Sequence, residues 1–457
     1  MALIKILILF SIYAFNIIYC EETPLTFSPK LSTMFYSSGS IHHDKISGST
    51  NLSTFELIAS KNVGKLSITG KFLFISGSNF DIKSTYINPE LSFEHQGREY
   101  YSSNNTWYES ASLLVQYKSN ESFDVFFGKS NRHWGVGNSS LIISKNNPSF
   151  PLTGFNWNIS KKLSLEYFLG SLSSQIEDTT NTMYAGLGGK KLYLSRSIAG
   201  HRLKYKLSDN ITFSAAEIVI YGNRKFDENY LLPFIPFWSM QHYIGDLDNV
   251  QMCGEIVWNI KNNLNFYTSL FVDEWRPEWT FQSNNRNWFG YQFGITKESL
   301  ISSNDYLQLE YNWTDHRIYK HKFPINNSYT YNYPLGFWAG PHAEYFSILY
   351  TTLIKDWKLN SNFSYFKRGS STQDMLNRQY KDILINRYSE GTEQRIILSI
   401  NSYKYLLNKK IQFRIGGDFI NWINPGFEPD NPKTIKNDTQ KFSLNLGFLV
   451  TTDFLFN

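Results

Sequence analysis

The C-terminal stretch from Phe442 to Phe456 alternates with a period of two. Phe442, Leu444, Leu446, Phe448, Val450, Thr452, Phe454 and Phe456 fall on one side, and Ser443, Asn445, Gly447 and Thr451 on the other. Successive side chains of a strand point to opposite faces, so such a run has one apolar and one polar face. The pattern recurs along the chain. Leu264, Phe266, Leu270 and Val272 oppose Asn263, Asn265, Ser269 and Asp273. Leu307, Leu309, Tyr311 and Trp313 oppose Tyr306, Gln308, Glu310, Asn312 and Thr314, and Ile411, Phe413 and Ile415 oppose Gln412, Arg414 and Asp418. A single segment of this kind fits a soluble β-sandwich. About twenty of them, with no helical stretch of comparable strength, predict a closed barrel whose two faces meet lipid and water.

The N-terminus favours export. Lys5 precedes an apolar run from Ile6 to Ile18, and a polar stretch begins at Glu21. Residues 1–20 read as a secretory signal, cleaved near Tyr19-Cys20, with a lipidated Cys20 as the alternative. Once the signal is removed, Cys253 is the remaining cysteine and reads as a small apolar strand residue. The net charge of +5 is spread without a basic block, which gives nucleic-acid binding no support. Thirty Tyr, 36 Phe and 12 Trp in a chain of mean hydropathy −0.35 exclude helical membrane spans, because no apolar run after the signal is long enough.

Backbone groups in lipid must all be paired, and only closure of the sheet achieves this with strands. The expected fold is therefore all-β: a closed antiparallel transmembrane β-barrel of about 18 strands with long loops. Residues 21–457 form one domain, in which 21–50 are an extended or partly disordered lead-in. Five irregular stretches, 77–101, 222–248, 320–341, 369–391 and 424–438, are the expected loops, some outside and some folded into the lumen.

The stretch Phe126–Trp157 carries the most distinctive motif. Gly128-Lys129 ends a strand, Trp134-Gly135-Val136-Gly137 makes a turn, Ser140-Leu141-Ile142-Ile143-Ser144 reads as a further strand, and Ser149-Phe150-Pro151 follows a polar turn. Further on come Gly200-His201-Arg202-Leu203 opening a strand, with Glu217 and Tyr221 beyond it. Asp248-Asn249, Tyr267 with Asp273-Glu274, Tyr333-Pro334-Leu335-Gly336 and Gly340-Pro341-His342 complete the set. In this order, over about residues 120–370, the chain resembles the Wzi-like capsule-assembly family of bacterial outer-membrane proteins. It departs from the family at Lys129, where Arg is usual, and in lacking a helical bundle before the barrel.

The resemblance implies a protein of the bacterial outer membrane that binds or organises capsular or other surface polysaccharide at the cell exterior, lectin-like and without catalysis or cofactor. It implies outer-membrane lipid and the barrel-assembly machinery as further partners, and a monomer. Asn131, Arg132, His133, Trp134, His201 and Arg202 are the candidate glycan contacts. A guanidinium and an indole together suit a sugar, which offers CH groups to stack and oxygens to accept hydrogen bonds. The other reading of the same residues is an internal polar network bracing the barrel wall. Arg132, Arg202 and Arg414 are expected to point inward. The rival functions are a general diffusion porin and an outer-membrane hydrolase. For the latter, Asp273, Glu274 and Glu278 are the available acids, but adjacent strand residues diverge, so Asp273 and Glu274 read as a strand end with a salt-bridged turn. His42-His43-Asp44 has no third ligand at metal spacing and reads as a solvated loop.

Overall fold

The computed structural model describes residues 23–38, 49–78, 95–98, 105–180, 192–224, 226–261, 263–282, 287–380, 385–425, 427–432 and 437–456. The export segment, the His42-His43-Asp44 cluster and most of the 77–101 stretch lie outside these residues.

The strands form an 18-stranded closed antiparallel barrel. In chain order they are β1 (Leu25–Tyr36), β2 (Thr50–Val63), β3 (Leu66–Ser78), β4 (Asn105–Lys118), β5 (Phe123–Ser130), β6 (Phe150–Asn158), β7 (Leu163–Glu177), β8 (Tyr193–Lys206) and β9 (Ile211–Gly222). They continue with β10 (Asn249–Ile260), β11 (Leu264–Glu274), β12 (Trp288–Glu298), β13 (Tyr306–Thr314), β14 (Ala343–Ile354), β15 (Trp357–Gly369), β16 (Thr392–Leu406), β17 (Ile411–Ile423) and β18 (Thr439–Thr451). Each pairs with the next, and β18 pairs with β1 from Thr451↔Lys30 to Asn445↔Tyr36, which leaves no free edge. The first strand thus begins at Leu25, within the stretch expected as a lead-in. The alternation predicted from Phe442 to Phe456 breaks at Thr452-Asp453, after which Phe454–Phe456 pairs separately with β1.

The alternating faces go where a membrane barrel needs them. Leu444, Leu446 and Phe448 are exposed outside, and Ser443 and Asn445 are buried inside. Phe442 is likewise exposed on the outer face, and Leu307 and Leu309 alternate with the buried Gln308 and Glu310. Leu264 and Phe266 share the outer face of β11, whereas Tyr267, Ser269 and Asp273 are buried within. All connections at one end are short, such as 64–65 and 355–356, while those at the other are long, such as 131–149, 223–248 and 315–342. Short inner turns and long outer loops are the usual polarity of an outer-membrane barrel, so the long-loop end faces the exterior.

Toward the long-loop end the lumen holds a packed plug. A core of buried apolar side chains joins wall residues such as Ile218, Phe271, Phe366 and Trp422 to Leu141, Ile142, Ile143, Leu335, Phe337 and Trp338 from the loops. Two loops supply most of it. Residues 131–149 cross from β5 and meet residues 315–342 coming from β13. The Tyr319 hydroxyl donates to the Leu141 carbonyl at 2.5 Å and accepts from the Phe337 N–H at 3.0 Å, and the Ser144 N–H donates to the Leu335 carbonyl at 2.7 Å. The strand expected at Ser140–Ser144 is absent. Leu141, Ile142 and Ile143 are at most 2% exposed, so all three consecutive side chains are apolar core, which a two-faced strand cannot provide.

Candidate functional site

Two regions at the loop end gather polar and aromatic side chains: the lumenal network around the Trp134 turn, and an open cleft on the rim. In the first, wall carboxylates receive the plug. Glu166 on β7 accepts a hydrogen bond from Trp134 Nε1 at 2.8 Å, lies 3.7 Å from the Arg132 guanidinium and pairs with Lys204. Arg132 stacks over Phe126 at 4.5 Å, and burial lowers its pKa despite Glu166 nearby. On the adjacent wall Arg202 pairs with Glu255 at 3.0 Å, both nearly inaccessible. Asn131 donates from Nδ2 to the Lys145 carbonyl at 2.8 Å. Opposite, Glu310 accepts the N–H groups of Asn138 at 2.8 Å and Ser139 at 3.3 Å, the Tyr267 hydroxyl at 2.7 Å and Asn312 Nδ2 at 3.0 Å. The approach is close enough that a Cβ on Gly137 would sit 2.5 Å from a Glu310 oxygen, which accounts for the second glycine of the Trp-Gly-Val-Gly turn. Asn131, Arg132, His133, Trp134 and Arg202 therefore have partners within the protein, the arrangement of a brace.

The structure separates His201 from this group. Arg202 faces the lumen, so its neighbour His201 faces outward, where its Nε2 lies 3.0 Å from Glu217 and its ring stacks on Phe237 at 4.3 Å. The Gly200-His201-Arg202 motif sits in the middle of β8, not at its start. Arg414 does point inward, bonding Asn401 Oδ1 at 2.9 Å. Sequence reading missed Glu166 and Glu255 as anchors. Their lumenal parity on β7 and β10 was the available signal.

Three loop histidines are held neutral by geometry. His342 Nδ1 lies 2.6 Å from the Ser370 carbonyl and Nε2 accepts the Tyr388 N–H at 3.0 Å, which requires a single proton on Nδ1. His133 Nδ1 accepts the Lys145 N–H and His321 Nδ1 the Phe323 N–H. Burial, seconded for His133 by Lys145 and for His321 by Lys322, lowers both to about 4. Burial likewise takes His342 to about 3, and nearby Arg387 adds to the effect.

The second region is a rim cleft of about 780 Å³ between residues 238–242, 273–279, 287–288 and 317–322. Trp238, Trp275, Trp279, Arg276, Glu278 and Lys322 are among its lining residues. Trp275 is half-exposed and is steadied by donation from Nε1 to Thr280 Oγ1 at 3.2 Å. The short helical turn Pro277–Trp279 places the Trp279 ring under the Arg276 guanidinium, 4.6 Å away. The Arg276 N–H is fixed by Asn287 Oδ1 at 2.8 Å. Indole faces beside cations and a carboxylate suit a polyhydroxylated ligand. This segment, expected as a salt-bridged turn, is a stacked one. Asp273 lies inside the wall, taking the Tyr319 N–H at 2.6 Å, while Glu274 is exposed on the outer side, so these two acids do not converge. Among the described residues no cluster of His, Cys, Asp or Glu suits a metal.

No family model matches the sequence, and no curated protein matches it. Among solved structures the chain is similar to Wzi from Escherichia coli, described as an outer membrane protein involved in group 1 capsule assembly and a carbohydrate-binding β-barrel. The TM-score is 0.55 at 11% identity, over 93% of this chain and 84% of that one. It is also similar to OccAB2 of Acinetobacter baumannii, with TM-score 0.48 and 10% identity over 95% of this chain and 98% of the other. OccK8 (OprE) of Pseudomonas aeruginosa gives 0.47 and 9% over 95% and 98%. Identities this low establish the fold alone: a barrel of the bacterial outer-membrane type.

Proposed function

We propose that this barrel binds surface polysaccharide at its exterior end and holds it there, without catalysis. The observation that carries the reading is the rim cleft, where Trp275, Trp279 and Trp238 stand beside Arg276, Glu278 and Lys322 in an accessible position. A repeating glycan would make weak contacts with each indole and guanidinium, and repetition would supply avidity. The carbohydrate-binding description of Wzi, which shares the fold, supports the same class of ligand. In this reading Asn131, Arg132, His133, Trp134 and Arg202 hold the plug in place, and the glycan meets the rim.

The diffusion-porin alternative shares the fold as well. What favours the first reading is the apolar core where residues 131–149 and 315–342 meet the wall, because a general porin needs a continuous aqueous path. The reading is tested by titrating purified barrel in detergent with surface polysaccharides of the producing strain. Saturable binding, weakened several-fold by Trp275→Ala, is expected. No binding to any of them, together with porin-sized current steps in a planar bilayer, would replace this proposal with the channel.

A further inference from the structure

Residues 226–248 touch the plug at their end, where Asn326 Nδ2 donates to the Leu247 carbonyl at 2.8 Å, and otherwise take another course. They turn over the rim and lie against the outside of the wall. Tyr230 and Phe237, both fully buried, pack on Tyr167, Ala199, Val219, Tyr221 and Val250. These wall residues are out of phase with Ile198, Ile218 and Ile220, which belong to the lumenal core, so they occupy the outer face. Polar bonds fix the segment there. The Tyr167 hydroxyl donates to the Tyr230 carbonyl at 2.8 Å, the Phe237 N–H to Glu217 at 2.7 Å, and the Tyr230 hydroxyl to Asp248 at 2.6 Å. Arg224 bridges Asp227 and Asp248.

The far side of this segment is unexpectedly apolar for an exterior loop. Phe226, Leu232, Phe234 and Tyr243 are exposed, Phe234 by 69% and Tyr243 by 86%. An exposed apolar patch of this kind marks an interaction surface. Its position says with what. Phe234 packs edge-on against Trp157 at 6.3 Å, and Trp157 is on the outward face of β6, so the patch continues the apolar exterior of the barrel. The segment also covers His201 and Glu217, a polar pair that would otherwise face hydrocarbon from the wall.

We propose that residues 226–248 are a lipid-facing anchor whose outer surface, including Phe234 and Tyr243, lies among the lipids of the membrane. Apolar and aromatic side chains that continue the outer face of the barrel are suited to that environment, and the occupant is lipid, not a second copy of the chain. The inference does not depend on glycan binding.

The test uses the full barrel in liposomes, with Cys20 and Cys253 replaced by serine and a nitroxide attached at Phe234→Cys or Tyr243→Cys. At both positions collisions with oxygen should exceed those with a water-soluble nickel chelate, as at a Leu444→Cys reference on the barrel exterior. Nickel-dominated relaxation like that of a label in the 64–65 turn would overturn the proposal, and so would spin–spin broadening between copies. If the cysteine variants lose heat-modifiable mobility, benzoylphenylalanine at position 243 keeps the aromatic shape. It should cross-link to lipid on illumination, and cross-linking to another copy of the barrel, or none to lipid, would overturn the anchor equally.

Discussion

Residues 131–149 and 223–248 leave the same end of the barrel and fold in opposite directions, and the wall beneath each explains why. Inside, Glu166 and Glu310 stand at lumenal positions and collect the indole and N–H groups of the 131–149 loop. Outside, Glu217 takes the Phe237 N–H and Tyr167 bonds the Tyr230 carbonyl, so the 223–248 segment docks on the lipid side. Each loop has an apolar underside and is anchored by wall carboxylates, Glu166 and Glu310 for 131–149 and Glu217 for the outer segment. The direction a loop takes is thus written less in the loop than in the parity of its acceptor on the strands.

Four changes would break or sharpen that contrast. The largest effect is expected for Trp134→Ala, which empties a buried indole site and leaves Glu166 without its Nε1 donor. It should cost the plug about 3–5 kcal/mol while the barrel keeps its heat-modifiable mobility. Hydrogen exchange in 131–149 should accelerate with no change in 223–248. Next comes Glu310→Ala, which strands the N–H groups of Asn138 and Ser139 and should cost about 3 kcal/mol. Planar-bilayer recordings should then show more current than wild type, and a trace equal to wild type would mean the plug does not depend on this anchor.

Acidification should act on the plug in the same selective way. His133, His321 and His342 are neutral in the docked loops, at about 4, about 4 and about 3 against an ordinary value of about 6.5. Released loops therefore bind more protons than docked ones below pH ~6.5, and docking weakens as the pH falls from there toward 4. Docking stability is fully present above that window. Loop exchange followed across this range should rise in 131–149 and 315–342. The smallest of the four effects is expected on the outside. Glu217→Ala removes one bond to the Phe237 N–H and the partner of His201, worth about 1–2 kcal/mol. Proteolysis within 223–248 should quicken, with no new bilayer current.

Much of the barrel was legible because strand alternation is local. Gln308, Glu310 and Asn312 against Leu307, Leu309 and Tyr311 can be read in one glance at nine residues, and the structure places them accordingly. The destination of the loops was not legible, because their anchors are distant: Trp134 reaches Glu166, 32 residues on, and Asn138 reaches Glu310 across 172. The Leu141-Ile142-Ile143 run showed the limit of pattern reading, since an apolar triplet fits a strand until a plug needs all three buried. His201 and Arg202 were grouped as neighbours in sequence, although the parity that separates Asp273 from Glu274 separates them too. The quoted motif residues Trp134, Gly137, Tyr267, Asp273 and Leu335 all lie at points where loop meets wall or loop meets loop, which is why the motif is spread so widely along the chain.

The central claim is that glycan is held at the rim while the inner residues only brace. Its most direct measurement is surface polysaccharide retained per folded barrel on cells producing wild type, Trp275→Ala with Arg276→Ala, or Arg132→Ala. Removing a stacking platform and a charged donor from the cleft should lower the ratio, by about 1–3 kcal/mol of contact energy per site, and release glycan into the medium. Arg132→Ala should leave the ratio at the wild-type value, its losses following barrel abundance alone. A wild-type ratio in the rim variant with a reduced ratio in Arg132→Ala would contradict the account and place the glycan at the lumenal turn.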